Sequence, residues 1–206
     1  MSATLLILTE VGVAPGRAED VLARWSELNE KEPLAGRTLF RSADGDDLLE
    51  ITPVEDYADL DALSPGWRRL WDTVSADLVT DFRRQLLEFV EAPKDTADPL
   101  PKTRYVQLRY IEVKPKEYAA YREWRENTIF EVVRRAEPVT TFLAYHTLLS
   151  SRPGVMFVTG FDCEPEDYQK VFTSAEYQSI VQQAGDRFIV GGESGLYTRV
   201  YQRADV

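Results

Sequence analysis

The chain opens on an apolar run with the character of a strand and then switches to a helical period. Leu5-Leu6-Ile7-Leu8-Thr9-Glu10-Val11-Gly12-Val13-Ala14-Pro15 reads as a strand ending at a proline that opens a helix. In the segment that follows, Val21, Leu22, Trp25 and Leu28 recur at helical spacing. One hundred residues further on, without a gap, the pattern returns as Tyr105-Val106-Gln107-Leu108-Arg109-Tyr110-Ile111-Glu112-Val113-Lys114-Pro115. There Tyr121, Trp124, Thr128 and Val132 keep the helical period.

Two strands joined by turn residues come next in each copy. The first copy has Thr38 to Ser42 and Leu48 to Thr52 around Asp44-Gly45-Asp46; the second has Thr140 to Leu149 and Val155 to Thr159 around Ser151-Arg152-Pro153-Gly154. Each copy then offers a Glu-Asp-Tyr helix start, at Glu55-Asp56-Tyr57 and Glu166-Asp167-Tyr168, and a Ser-x-x-aromatic step, Ser64 to Trp67 and Ser174 to Tyr177. Each closes on a strand, Gln85 to Glu91 and Leu196 to Gln202. The order β-α-β-β-α-β twice predicts an α+β fold of tandem ferredoxin-like repeats: a first unit over 1–92, a link over 93–102 with Pro93, Pro99 and Pro101, and a second unit over 103–206. One such unit carries helices on one face of its sheet and leaves the other face apolar and bare. Two fused units can press those faces together, which predicts an intramolecular, pseudo-dimeric α+β barrel.

This pattern resembles the dimeric α+β barrel superfamily, which includes antibiotic-biosynthesis-type monooxygenases, haem-degrading proteins and NIPSNAP-like proteins. The residues that carry the resemblance are Val11-x-Val13-x-Pro15-Gly16, its partner Ile111-x-Val113-x-Pro115, and the two Ser-x-x-aromatic steps. Tyr105-Val106-Gln107-Leu108-Arg109-Tyr110 is similar to the NIPSNAP-like start. These motifs are structural, so the resemblance implies a fold more directly than a chemistry.

Composition narrows the chemistry. With 24 basic against 35 acidic residues the net charge is −11, which disfavours nucleic acid and anionic membrane as partners. No apolar run is long enough to span a bilayer, no basic-then-apolar leader is visible, and Cys163 is a lone cysteine, so a cytoplasmic protein is expected. One histidine and one cysteine do not build a His/Cys zinc site, and there is no phosphate-binding glycine loop. Gly191-Gly192-Glu193-Ser194-Gly195 has the wrong spacing for a nucleophile elbow and reads as a turn before a strand. Asp44-Gly45-Asp46-Asp47 lacks the closing glutamate of a calcium loop and reads as a hairpin turn.

His146 is the one side chain whose ordinary pKa lies near neutrality. It alternates with Phe142, Ala144 and Leu148 and so faces an apolar space, as a general base, a substrate-orienting group, a haem ligand, or a core histidine bonded to a carbonyl or tyrosine. Trp67, Trp71 and Trp124 fall on helices, where they would wall a pocket for a flat ligand or simply fill the core. Arg109 breaks an apolar strand and would bind a carboxylate, stabilise an enolate or make a surface ion pair, with Tyr110, Tyr145 and Tyr177 adding hydroxyls. The second half is therefore expected to hold the pocket.

The resemblance implies an enzyme without cofactor, a monooxygenase or cyclase, acting on a small apolar, aromatic or polyketide-type molecule. His146 would be its base, Arg109 or Tyr110 its oxyanion donor, and Trp67, Trp71, Trp124, Tyr145 and Tyr177 its walls. The alternatives are a haem-binding or haem-degrading protein with His146 as ligand, and a non-catalytic binding module. Because fusion supplies the twin sheet internally, either a monomer or a homodimer is expected.

Overall fold

The computed structural model describes residues 1–31 and 36–205. Its strands are β1 (Leu5–Gly12), β2 (Thr38–Ser42), β3 (Asp47–Val54), β4 (Arg83–Lys94), β5 (Tyr105–Ile111), β6 (Thr141–Leu149), β7 (Val155–Phe161) and β8 (Tyr197–Arg203). Its helices are α1 (Ala18–Glu30), α2 (Asp59–Val74), α3 (Tyr118–Glu126), α4 (Ile129–Arg135), α5 (Pro165–Phe172) and α6 (Ala175–Arg187).

The strands form one closed barrel in the order β1-β3-β2-β8-β5-β7-β6-β4. Within it the halves contribute β4-β1-β3-β2 and β8-β5-β7-β6, and antiparallel seams join β2 to β8 and β4 to β6. Leu6, Leu8, Leu49, Ile51, Leu87, Val106, Leu108, Leu143 and Val158 fill the interior, where the bare faces of the two sheets meet. Alternate residues of the same strands face outward beneath the helices: Leu5, Ile7 and Val11 under α1 and α2, and Tyr105, Ile111 and Phe157 under α3 to α6. Strands covered on both faces must be apolar on both, which is why β1 and β5 read as nearly continuous apolar runs.

The structure corrects three boundaries. The helix expected through Tyr121, Trp124, Thr128 and Val132 is two, α3 and α4, because the Thr128 hydroxyl donates to the Trp124 carbonyl at 2.7 Å and its backbone leaves the helical region at φ −134°. The second helix of the second repeat is also two, α5 and α6, divided at Ser174. Its counterpart α2 instead runs unbroken through Ser64 and Pro65. Lastly, β4 runs on to Lys94, inside the stretch expected as link, where the Lys94 ammonium donates to the carbonyls of Ala136 at 2.7 Å and Val139 at 2.9 Å.

The Asp44 segment is a hairpin turn, with the Ser42 hydroxyl donating to the Asp44 carboxylate at 2.8 Å. Among the described residues no group of three or more His, Cys, Asp or Glu side chains is placed to hold a metal ion. Gly154, in the β6–β7 turn, has φ +151°, and a Cβ there would lie 2.2 Å from the Ile111 carbonyl oxygen, so only glycine fits. Among the described residues no helix is long and apolar enough to cross a membrane.

Candidate functional site

Neighbouring residues on a strand point to opposite faces, and this separates the side chains singled out by sequence. Tyr110 and Tyr145 enter the barrel interior, their hydroxyls donating to the carbonyls of Pro153 at 2.7 Å and Ala3 at 3.0 Å. Arg109 and His146 lie on helix-covered faces but apart. His146 is at the end of β6, its Nδ1 2.8 Å from the Gly154 carbonyl and its ring 5.6 Å from that of Tyr118. Two inter-strand steps, roughly 10 Å, separate β6 from β5, and the cavity beside Arg109 is not lined by His146. Trp124 packs between Tyr121 and Phe188, and Trp71 is 43% exposed.

In the second half, the Arg109 guanidinium donates to the Tyr177 hydroxyl and lies over the rings of Phe172, at 5.0 Å, and Tyr177, at 5.5 Å. The cavity beside it measures about 20 Å³ and is walled by Tyr121, Phe142, Phe157, Tyr177, Ile129 and Leu196 among others. Arg125 of α3 is fully buried between the rings of Tyr121, Phe130 and Phe157, and one of its nitrogens is bonded to Glu91 of β4. Its Nε and Nη1, and the hydroxyl of Tyr121, are buried without a hydrogen-bond partner. Burial pushes the Tyr121 hydroxyl well above the ordinary phenol range, so it stays protonated as a donor.

The first half holds a different constellation. Thr9 of β1 pairs with Glu50 of β3 on one side and with Arg84 of β4 on the other, so the three side chains form one row beneath α1 and α2. Glu50, 2% exposed, accepts hydrogen bonds from the Trp25 indole at 3.0 Å, the Asn29 amide at 2.6 Å and the Thr52 hydroxyl at 3.2 Å. The Arg84 guanidinium lies 4.7 Å from the Trp67 ring centre and 4.8 Å from that of Phe82. Its Nε and Nη2, and the hydroxyl of Thr9, are buried without a hydrogen-bond partner. Burial lowers the Arg84 pKa, opposed by the charges of Glu50 and Asp81. A groove of about 520 Å³ between α1 and β2, lined by Leu22, Ser26, Asn29, Arg37 and Leu39 among others, leads to the Asn29 amide that holds Glu50.

Each half thus sets an arginine against the aromatic ring of its Ser-x-x-aromatic step, Arg84 on Trp67 and Arg109 on Tyr177. In the first half a carboxylate completes the row. Sequence reasoning missed Glu50, Arg84, Asn29 and Arg125. A signal did exist for Glu50, which interrupts Leu48-Leu49-x-Ile51, but its alignment with Thr9 and Arg84 depends on strand register.

The fold is the dimeric α+β barrel, with both of its halves in one polypeptide. An anthrone oxidase-like protein shares it at TM-score 0.75 and 11% identity, over 97% of this chain and 91% of the other. A ferredoxin-fold protein from Listeria monocytogenes related to antibiotic biosynthesis monooxygenases shares it at TM-score 0.60 and 8% identity, over 100% and 97%. A haem-degrading enzyme from the same species matches at TM-score 0.57 and 9% identity, over 96% and 98%. No family model matches the chain, and no curated protein sequence does.

Proposed function

We propose that this protein is an enzyme that oxidises, without metal or flavin, a small aromatic molecule bearing an acidic hydroxyl or enolisable carbonyl. The observation that carries the reading is the Glu50–Thr9–Arg84 row beneath Trp25 and Trp67. The row supplies an acceptor for the substrate's proton, a cation for the resulting oxyanion, and a water-poor aromatic surround that strengthens both. Glu50 takes the proton and Arg84 faces the enolate oxygen; dioxygen, as the two-electron oxidant, then adds at the enolate carbon and is protonated to a hydroperoxide, whose O–O bond breaks as that carbon loses its remaining hydrogen, leaving a ketone and water. The substrate enters along the groove at Asn29 and Arg37. In this reading the base expected at His146 falls to Glu50, because His146 and Arg109 do not share a cavity.

The likeness to an anthrone oxidase-like protein makes an anthrone the first probe. Oxygen uptake by the intact protein with anthrone should fall at least 100-fold in Glu50→Gln and in Arg84→Met, the scale on which positioned acid–base and oxyanion groups act. Uptake unchanged in both variants would remove the row from the chemistry.

Haem is the other chemistry among the structural neighbours. Nδ1 of His146 bonds the Gly154 carbonyl and leaves Nε2 as the nitrogen that could ligate iron, but space does not fit: the ring packs on Tyr118, and the cavity of that half, which His146 does not line, measures about 20 Å³, too small for a porphyrin. Added haem should give no Soret shift that His146→Ala abolishes.

A further inference from the structure

Consecutive residues of a strand serve opposite faces, so the chain neighbours of the Glu50–Thr9–Arg84 row point away from the helices. Glu10 follows Thr9 on β1, Arg83 precedes Arg84 on β4, and the two are partners in the β1–β4 register. They line a hollow of about 300 Å³ at one mouth of the barrel, together with Gln85 from β4, Ser151 and Arg152 from the β6–β7 turn, and Tyr197 from β8. Both halves of the chain therefore build it. Most arginines of this protein sit against a carboxylate, Arg17, Arg41, Arg104 and Arg134 among them. Among the described residues neither Arg83 nor Arg152 does. Glu10, 6% exposed, is engaged elsewhere: its Oε1 accepts from the Tyr201 hydroxyl at 2.6 Å and from Arg199 at 3.5 Å, which leaves Oε2 to the hollow. The Arg152 guanidinium is held at the mouth by the Tyr197 ring, 5.1 Å away, over which Arg199 also lies at 4.7 Å. The Gln85 Oε1 accepts from the Ser150 hydroxyl at 2.9 Å, so its NH2 group remains as a donor. Like charges gathered in one hollow repel, and an anion seated between them removes that cost.

We propose that this barrel mouth binds a small hydroxylated carboxylic acid, at a site separate from the Glu50–Arg84 row and independent of the reaction proposed there. The forked guanidiniums of Arg83 and Arg152 receive the carboxylate, with the Gln85 amide and the Ser151 hydroxyl as further donors. The acid's hydroxyl donates to Oε2 of Glu10, the acceptor that the fold leaves facing the hollow. A volume of about 300 Å³ lies at the small end of ligand pockets and suits a compact acid. The charge fits as well: Arg199 is shared between Glu10 and Asp47, so Arg83, Arg152 and Arg199 exceed the two carboxylates by one positive charge, the match for a monoanion. A phosphate dianion would exceed that charge and face Glu10.

The test titrates the intact protein by calorimetry at constant ionic strength with lactate, propionate and inorganic phosphate, and follows its thermal unfolding in each. Lactate should bind at least fivefold more tightly than propionate, which has the same carboxylate without the hydroxyl, and should raise the unfolding midpoint. Its affinity should fall at least tenfold in Arg83→Gln and in Arg152→Gln. Both arginines are exposed and carry no ion pair, so both variants should fold as the parent does. Lactate that fails to bind, or binds equally to the parent and both variants, would overturn the site. Propionate bound as tightly as lactate would overturn the role of Glu10, and phosphate bound more tightly than either would overturn the choice of a hydroxy acid.

Discussion

Thr9 is an unusual residue to find buried between a carboxylate and a guanidinium with its own hydroxyl unpartnered. Replacing it by valine keeps the shape and removes a group that makes no hydrogen bond in the folded chain. Thr9→Val is therefore expected to keep the stability of the parent to within about 1 kcal/mol in urea denaturation. The same variant should slow oxygen uptake if the hydroxyl meets the substrate. The sequence makes Thr9 visible only as the partner of Arg109 in the repeat alignment. Glu50 and Arg84 lie 34 positions apart in the chain, and their meeting is decided by the pairing of two strands with a third, which no local pattern encodes. For His146 the reverse holds. Its residue type stands out and its helix-covered face follows from alternation, but its neighbours depend on the β6–β7 turn, where the Gly154 carbonyl takes Nδ1.

At the level of elements, the two Ser-x-x-aromatic steps show how one motif yields two local structures. Ser174 has extended backbone and its hydroxyl accepts from the Tyr177 amide at 3.2 Å, so it caps α6. Ser64 sits inside α2 just before Pro65, with helix on both sides. Ser174→Ala should cost about 1 kcal/mol, the usual worth of a cap, while Ser64→Ala should cost clearly less; thermal denaturation of the pair distinguishes them. The order of strands and helices was legible because period-two and period-3.6 patterns recur a hundred residues apart. The splits at Thr128 and Ser174 were not, since apolar periodicity runs straight through both while the backbone is redirected by a single hydroxyl.

For the whole molecule, the bare sheet faces imply the barrel from sequence alone, since each half needs the other's cover. What they did not reveal is an ion pair that crosses between halves, Arg125 of α3 with Glu91 of β4, joined by Arg122 at 3.1 Å. Burial acts to raise the Glu91 pKa, but the hydrogen bonds and charges of Arg125 and Arg122 outweigh it and hold the carboxyl below the ordinary glutamate range. A carboxyl depressed on folding adds stability above its unfolded pKa and loses it as the pH falls through the folded one. Stability measured by urea should therefore decline below about pH 4.5, and less steeply in Glu91→Gln.

The two seams that close the barrel are unequal. β4 and β6 match from Leu86 to Lys94 across several bulges, whereas β2 and β8 share only Phe40 to Ser42 against Tyr201 to Arg203. A ring opens where its shortest clasp lies, so β8 should part from β2 before any other pair separates. Amide protons of residues 40–42 should then exchange with solvent faster than those of β1, and a ligand that bridges that clasp would quiet the exchange without touching the chemistry elsewhere.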